Sequence, residues 1–117
     1  MNNKPSKFDL WKDDYDFAAD ELRKNRVRLG WYKYGPAKSN YKNGCIQAIP
    51  SCLQCIQKYK DTKNTEYLLD AMNYLMFEKM YPQLDGAFFE ATDASGTAGI
   101  VGLSVNEIKK IKEDIDV

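Results

Sequence analysis

Residues 65–81 read TEYLLDAMNYLMFEKMY, followed by Pro82. No other stretch of the chain is so long and so rich in apolar side chains. Written on a helix, Tyr67, Leu68, Leu69, Ala71, Met72, Tyr74, Leu75, Met76, Phe77, Met80 and Tyr81 leave only a narrow polar strip. A helix that is apolar almost all round belongs at the centre of a bundle, and proline cannot continue it. The strip consists of Glu66, Asp70 and Asn73, at positions i, i+4 and i+7, so the three side chains leave from one face. That face is open to two readings, a ligand site or a polar seam between helices.

Working outward, the segment 45–60 repeats Ile46, Ile49, Leu53 and Ile56 at helical spacing around Pro50. A helix starting near Pro50, with a short turn before it, suits proline in a first turn. The link 61–64 is short and polar, and Asn64 or Thr65 is placed to cap the central helix. So short a link makes the second and third helices an antiparallel hairpin. Upstream, Trp11, Tyr15, Ala18, Leu22 and Leu29 predict a first helix from Lys7 to Leu29, with Gly30 as its stop. Between them, WYKYGPAKSNYKNG at 31–44 is dense in turn residues and is expected to form turns, with one more helical turn at most. Downstream of Pro82, four glycines and a polar run predict a long Gly-rich loop over 83–103. Ser104 and Glu107 then form a capping box that opens a C-terminal helix carrying Val105, Ile108, Ile111 and Ile115. The expected architecture is all-α: a single domain over 1–117, with four to five helices around helix 65–81 and a disordered lead-in at 1–6.

The chain has 117 residues, 44% apolar and 29% charged, which suits one globular domain. No apolar run is long enough to span a bilayer, and the N-terminal residues lack the apolar core of a secretory signal. Three cysteines (Cys45, Cys52 and Cys55) crowd into eleven positions, which fits reduced thiols better than a disulfide framework. These features point to the cytoplasm. Histidine is absent, which removes the commonest general base and the commonest transition-metal ligand. The net charge of zero is a cancellation. Nine basic residues and no acid lie between Arg23 and Lys60, while the rest of the chain carries eight basic and 17 acidic residues.

Three constellations could carry function. Carboxylates one turn apart can hold a hard cation such as magnesium, and Glu66, Asp70 and Asn73 offer oxygens at that spacing. The competing reading has Asp70 and Asn73 bonding neighbouring backbone or arginine side chains. Next, Trp31, Tyr32, Tyr34 and Tyr41 interleave with Arg26, Arg28, Lys33, Lys38 and Lys42. Aromatic rings stack on bases while cations neutralise phosphate, so the stretch has the makings of a nucleotide or single-strand site. Alternatively, its rings cover the end of the bundle. Cys52-x-x-Cys55 lies in a helical pattern among isoleucines, with Cys45 on the face of Cys52, and reads as buried small side chains. With no histidine, the chain also has too few soft ligands for a zinc site.

The stretch YLLDAMNYLMFE resembles the carboxylate-bearing helix of the all-α nucleotide pyrophosphohydrolases of the MazG and dimeric dUTPase kind. That resemblance implies magnesium-dependent hydrolysis of nucleoside triphosphates, with Glu66, Asp70 and Asn73 at the metal. The family pattern is Glu-x-x-Asp with a Glu-Glu-x-x-Glu on the preceding helix. Here Glu66 and Asp70 stand one residue further apart, and 45–60 holds no acid. More broadly, LGWYKYGPAKSN, NTEYLLDAMNYLMFEKMYPQ and FFEATD are similar to small proteins encoded by phages and prophages. This implies a non-enzymatic accessory protein in the cytoplasm of a bacterial host, binding and modulating a host, phage or defence-system protein or its nucleotide or nucleic-acid ligand. No cofactor is expected under that reading, magnesium only under the hydrolase alternative, and no membrane. The sequence leaves open whether the domain pairs with a second copy of itself. The surface expected to do the binding is Arg26, Arg28, Trp31, Tyr32, Lys33, Tyr34, Lys38, Tyr41 and Lys42, with the glycine loop as a second candidate.

Overall fold

The computed structural model describes residues 11–91, 98–100, 103–104 and 109–110. The chain falls into two compact units, Met1–Ala87 and Phe88–Val117. The fold is all-α, with four helices in the first unit: α1 (Phe17–Tyr34), α2 (Ala37–Lys42), α3 (Ala48–Thr62) and α4 (Glu66–Met80).

The first helix differs from its expected limits at both ends. Residues 11–13 form one helical turn, the chain then breaks, and α1 starts after Asp16. The cause is local. Asp16 takes extended angles, and its carboxylate accepts the free Ala19 amide at 3.1 Å, as an N-cap does. Tyr15 bridges the break: its hydroxyl donates to Asp20 at 2.6 Å and its ring sits among Trp11 and Phe17. At the other end Gly30 does not stop the helix. Its φ is not positive, whereas Gly35 has φ 82° and ψ −168°, a conformation only glycine adopts readily, and Pro36 follows. So Trp31–Tyr34, expected in turns, are the last turn of α1.

The stretch 36–44 is also more ordered than its turn residues suggest. Pro36 leads into α2, Asn40 donates to the otherwise open Tyr34 carbonyl at 2.8 Å, and Asn43 accepts the Cys45 amide in a side-chain turn beside Gly44 at φ 76°. The third helix starts at Ala48 and holds Pro50 in its first turn, as expected. It ends on Lys63, a non-glycine residue in the left-handed region at φ 64°. Asn64, not Thr65, caps α4: its side chain accepts the Glu66 amide at 3.0 Å.

The most extensive helix pairing joins α3 to α4, and α1 packs on α4 as well. The residues buried among those described are Ala48 and Cys52 of α3, Ala71 and Asn73 of α4, and Tyr41 of α2. Cys45, expected on the face of Cys52, lies before the helix and is exposed. The central position of α4 is only partly as expected, because Met72, Leu75 and Met80 remain 42–52% exposed. Gln83 ties the pieces together beyond the end of α4. It accepts the Ala48 amide at 2.9 Å and donates to the Tyr41 and Ile46 carbonyls at 2.8 and 2.7 Å.

In the second unit, Ala98–Ile100 and Leu103–Ser104 form a short antiparallel pair, β1 and β2, inside the stretch expected to be loop. Ile100 favours a strand, whereas the glycine at 99 weakens one. Ser104, expected to cap the last helix, belongs to β2. Residues 109–110 are helical, and Glu107 lies outside the described residues, as do 92–97 and 101–102 of the glycine loop.

Candidate functional site

The nine residues of the basic aromatic stretch are distributed by helix geometry over five environments. Residues three and four apart share a helix face, so Arg23, Arg26 and Gly30 turn toward α4, Lys24, Arg28 and Tyr32 turn outward around a shallow hollow, and Val27 and Trp31 border both that hollow and the cleft on the α4 side. Trp31 and Tyr32 meet edge to face, with ring centroids 5.6 Å apart. Lys33 and Tyr34 stand on the rim of a cleft between the end of α1, α2 and α4. Lys38 and Lys42 are exposed on α2.

Two of the nine are not surface residues of this kind. Tyr41 is buried, 4% exposed, and stacks on Phe77 of α4 at 4.8 Å. Burial pushes its phenol up to about 12. The cause is topological: α2 is one short helix pressed against α4, and Tyr41 is its inward position. Arg26 is held by α4. Its Nε and Nη2 donate to the two carboxylate oxygens of Asp70 at 2.9 and 2.8 Å, and its Nη1 meets Glu66 at 2.8 Å. The hydrogen bonds to Asp70 push the arginine further up, against the opposing effect of burial.

The polar strip of α4 is therefore a seam. Glu66 and Asp70 share one guanidinium, and Asn73, 6% exposed, donates its amide to the Arg23 carbonyl at 3.1 Å. This arrangement does not fit a magnesium site on Glu66, Asp70 and Asn73. The two carboxylates are already engaged by one guanidinium, and the Asn73 oxygen is enclosed, without a hydrogen-bond partner. Among the described residues no three His, Cys, Asp or Glu side chains converge as metal ligands. Cys55 is near Asp70, and burial first, then that charge, pushes its thiol up, away from a reactive thiolate.

The cleft has a volume of about 440 Å3, within the usual range for small-molecule sites. Its walls are Trp31, Tyr34, Tyr74 and Phe77, with Lys33 at the rim and the Arg26–Asp70 pair at one side. Gly30 makes the space: it faces α4, and a Cβ there would meet nothing within 4 Å. The sequence reading missed Gly30, Tyr74 and Phe77 as cleft residues, and Lys24 as part of the outward surface. Lys24 was within reach, one turn before Arg28. The α4 side chains carry no such signal, since they look like core.

Comparison with known proteins returns no family model, no curated protein and no solved structure that matches this chain. No helix among the described residues is long and apolar enough to cross a membrane.

Proposed function

We propose that this chain is a small non-enzymatic accessory protein of the phage type, which binds and modulates a host or defence-system protein in the bacterial cytoplasm through the outward face of α1. One observation carries the reading: Trp31, Tyr32 and Tyr34 are 57%, 76% and 67% exposed on the last turn of α1, with Lys24 and Arg28 on the preceding turns and Lys33 between the rings. Large rings left in water forgo the free energy of burial, and clustered exposed apolar groups mark interaction sites. Tryptophan, tyrosine and arginine are the residues that anchor protein interfaces. The hydrolase alternative is disfavoured by the salt bridges of Arg26, which occupy the carboxylates that magnesium would need. A second reading, nucleotide sequestration without chemistry, draws support from the cleft with its aromatic walls and Lys33.

The test compares the wild-type chain with a Trp31→Ala/Tyr32→Ala variant in pull-downs from bacterial extract, alongside melting curves with nucleoside triphosphates and magnesium. The proposal expects a host protein retained by the wild type and lost by the variant, with unchanged helicity. A melting temperature raised by nucleotide but indifferent to Tyr32→Ala alone, which lies outside the cleft, would favour the cleft instead. Pyrophosphate release that disappears in Asp70→Ala would overturn the non-enzymatic reading.

A further inference from the structure

We propose that the cleft between the end of α1, α2 and α4 binds a nucleobase, carried on a nucleoside or a nucleoside monophosphate, with Asn73 Oδ1 accepting a hydrogen bond from an N–H on the edge of the base. The inference rests on the second reading given above, the cleft as a nucleotide site, and supplies its ligand class and its polar contact. It is independent of the protein contact placed on the outward face of α1.

Asn73 carries the argument. It borders the cleft and is 6% exposed. Its amide orientation is fixed, because Nδ2 donates to the Arg23 carbonyl at 3.1 Å. Oδ1 is then the end left over, enclosed and without a hydrogen-bond partner. Buried acceptors in folded proteins are nearly always paired, so an orphan in the wall of a cleft marks where a donor arrives. Reaching it takes a parting of the side chains that enclose it, and side-chain rotation of that scale is common on binding.

The walls and the charges narrow the donor to a flat, uncharged edge. Trp31 and Tyr34 of α1 and Tyr74 and Phe77 of α4 line the space with rings. Tyr74 lies near the Tyr34 and Tyr41 phenols, and Tyr41 stacks on Phe77, so aromatic groups of three helices meet there. Such rings stack on any base, whereas a lone acceptor selects an N–H at its edge. Arg26 and Lys33 border the cleft against one carboxylate, Asp70, which already holds Arg26 through two hydrogen bonds. A cationic ligand would find no spare countercharge, and a purely apolar one would leave the Asn73 oxygen unpaired. Lys33 has no ion pair among the described residues. At the rim it can meet one phosphate as a point charge, but it is too little for three. The volume of about 440 Å3 takes a base together with its sugar.

The experiment is titration calorimetry of the full chain with the four ribonucleosides, their 5′-monophosphates and their triphosphates. The expected result is that at least one nucleoside binds, one per chain, that its monophosphate binds more tightly, and that the triphosphate gains little further. Asn73→Leu is expected to weaken nucleoside binding about tenfold, the worth of one hydrogen bond. Lys33→Ala is expected to remove the advantage of the monophosphate and spare the nucleoside. Gly30→Leu, which fills the cleft from α1, is expected to abolish binding with unchanged helicity, and it decides the matter should Asn73→Leu not fold. Nucleoside affinity retained in Gly30→Leu, or in a folded Asn73→Leu, overturns the inference. Triphosphates that bind while nucleosides and monophosphates do not also overturn it, yet leave nucleotide sequestration standing. If no nucleoside or nucleotide binds, the inference and that second reading fall together, while retention of a host protein in the pull-down keeps the contact on α1.

Discussion

Arg26 and Asp70, 44 residues apart in the chain, form a two-point guanidinium–carboxylate pair with both hydrogen bonds under 3.0 Å. This contact joins α1 to the central helix and turns a candidate metal ligand into a structural group. A planar fork meeting two carboxylate oxygens is among the stronger polar contacts, though an arginine side chain 39% exposed loses part of that strength to solvent screening.

Replacing Asp70 by alanine is therefore expected to cost about 1–2 kcal/mol of stability in urea denaturation. Glu66→Ala, at a position half in solvent, is expected to cost no more than about 0.5 kcal/mol. Arg26→Lys is expected to behave much like the Asp70 variant, because an ammonium cannot make the two-point contact. Equal effects at Glu66 and Asp70 would contradict the geometry.

Gln83 is expected to matter more than its polar, loop-like setting suggests. It satisfies the Ala48 amide at the start of α3 and two carbonyls, from Tyr41 and Ile46. Gln83→Ala is expected to destabilise by about 2 kcal/mol in the same assay. Gln83→Glu is expected to be no rescue, since it removes the donor that both carbonyls need.

Two backbone positions offer gains. Lys63 ends α3 in the left-handed region, where a side chain is unfavourable; Lys63→Gly is expected to raise stability by about 0.5–1 kcal/mol. Gly30 is inside α1 with open space around its missing Cβ, so Gly30→Ala is expected to stabilise by a similar amount. Gly30→Leu is expected to fill the cleft without unfolding the helix, visible as an unchanged circular dichroism spectrum and loss of any small-molecule melting shift.

Stability at high pH should report on Tyr41. An unfolded tyrosine titrates near 10, whereas burial pushes Tyr41 up to about 12, with Tyr74 adding to the shift. The folded state keeps the proton longer, so this contribution is fully present below pH about 10 and is lost as the pH rises toward about 12. Melting temperature is expected to fall through that window, and less steeply in Tyr41→Phe. An equal slope in both proteins would mean that Tyr41 is not the buried phenol.

Much of the chain was legible because its signals are local. Pro50 marks a helix start and Asn64 a cap whatever surrounds them, since each acts on backbone groups a few residues away. The misread points were also local but competitive: Gly30 and Gly35 both look like stops, and only Gly35 is followed by proline. Asp16 was hidden among four aspartates, any of which could have capped.

By itself, the sequence determined the all-α class, the central place of 65–81, the hairpin of α3 with α4, and the one-sided strip of Glu66, Asp70 and Asn73. Helical spacing places side chains on a face without saying what the face meets. Tertiary structure alone decided that the strip meets Arg26 and the Arg23 carbonyl, that Tyr41 turns inward onto Phe77 while Tyr32 turns outward, and that Leu53 and Leu75 are left in solvent. Those outcomes depend on partners 36 to 50 residues away, whose positions follow from how the helices pack and not from the period of any one of them.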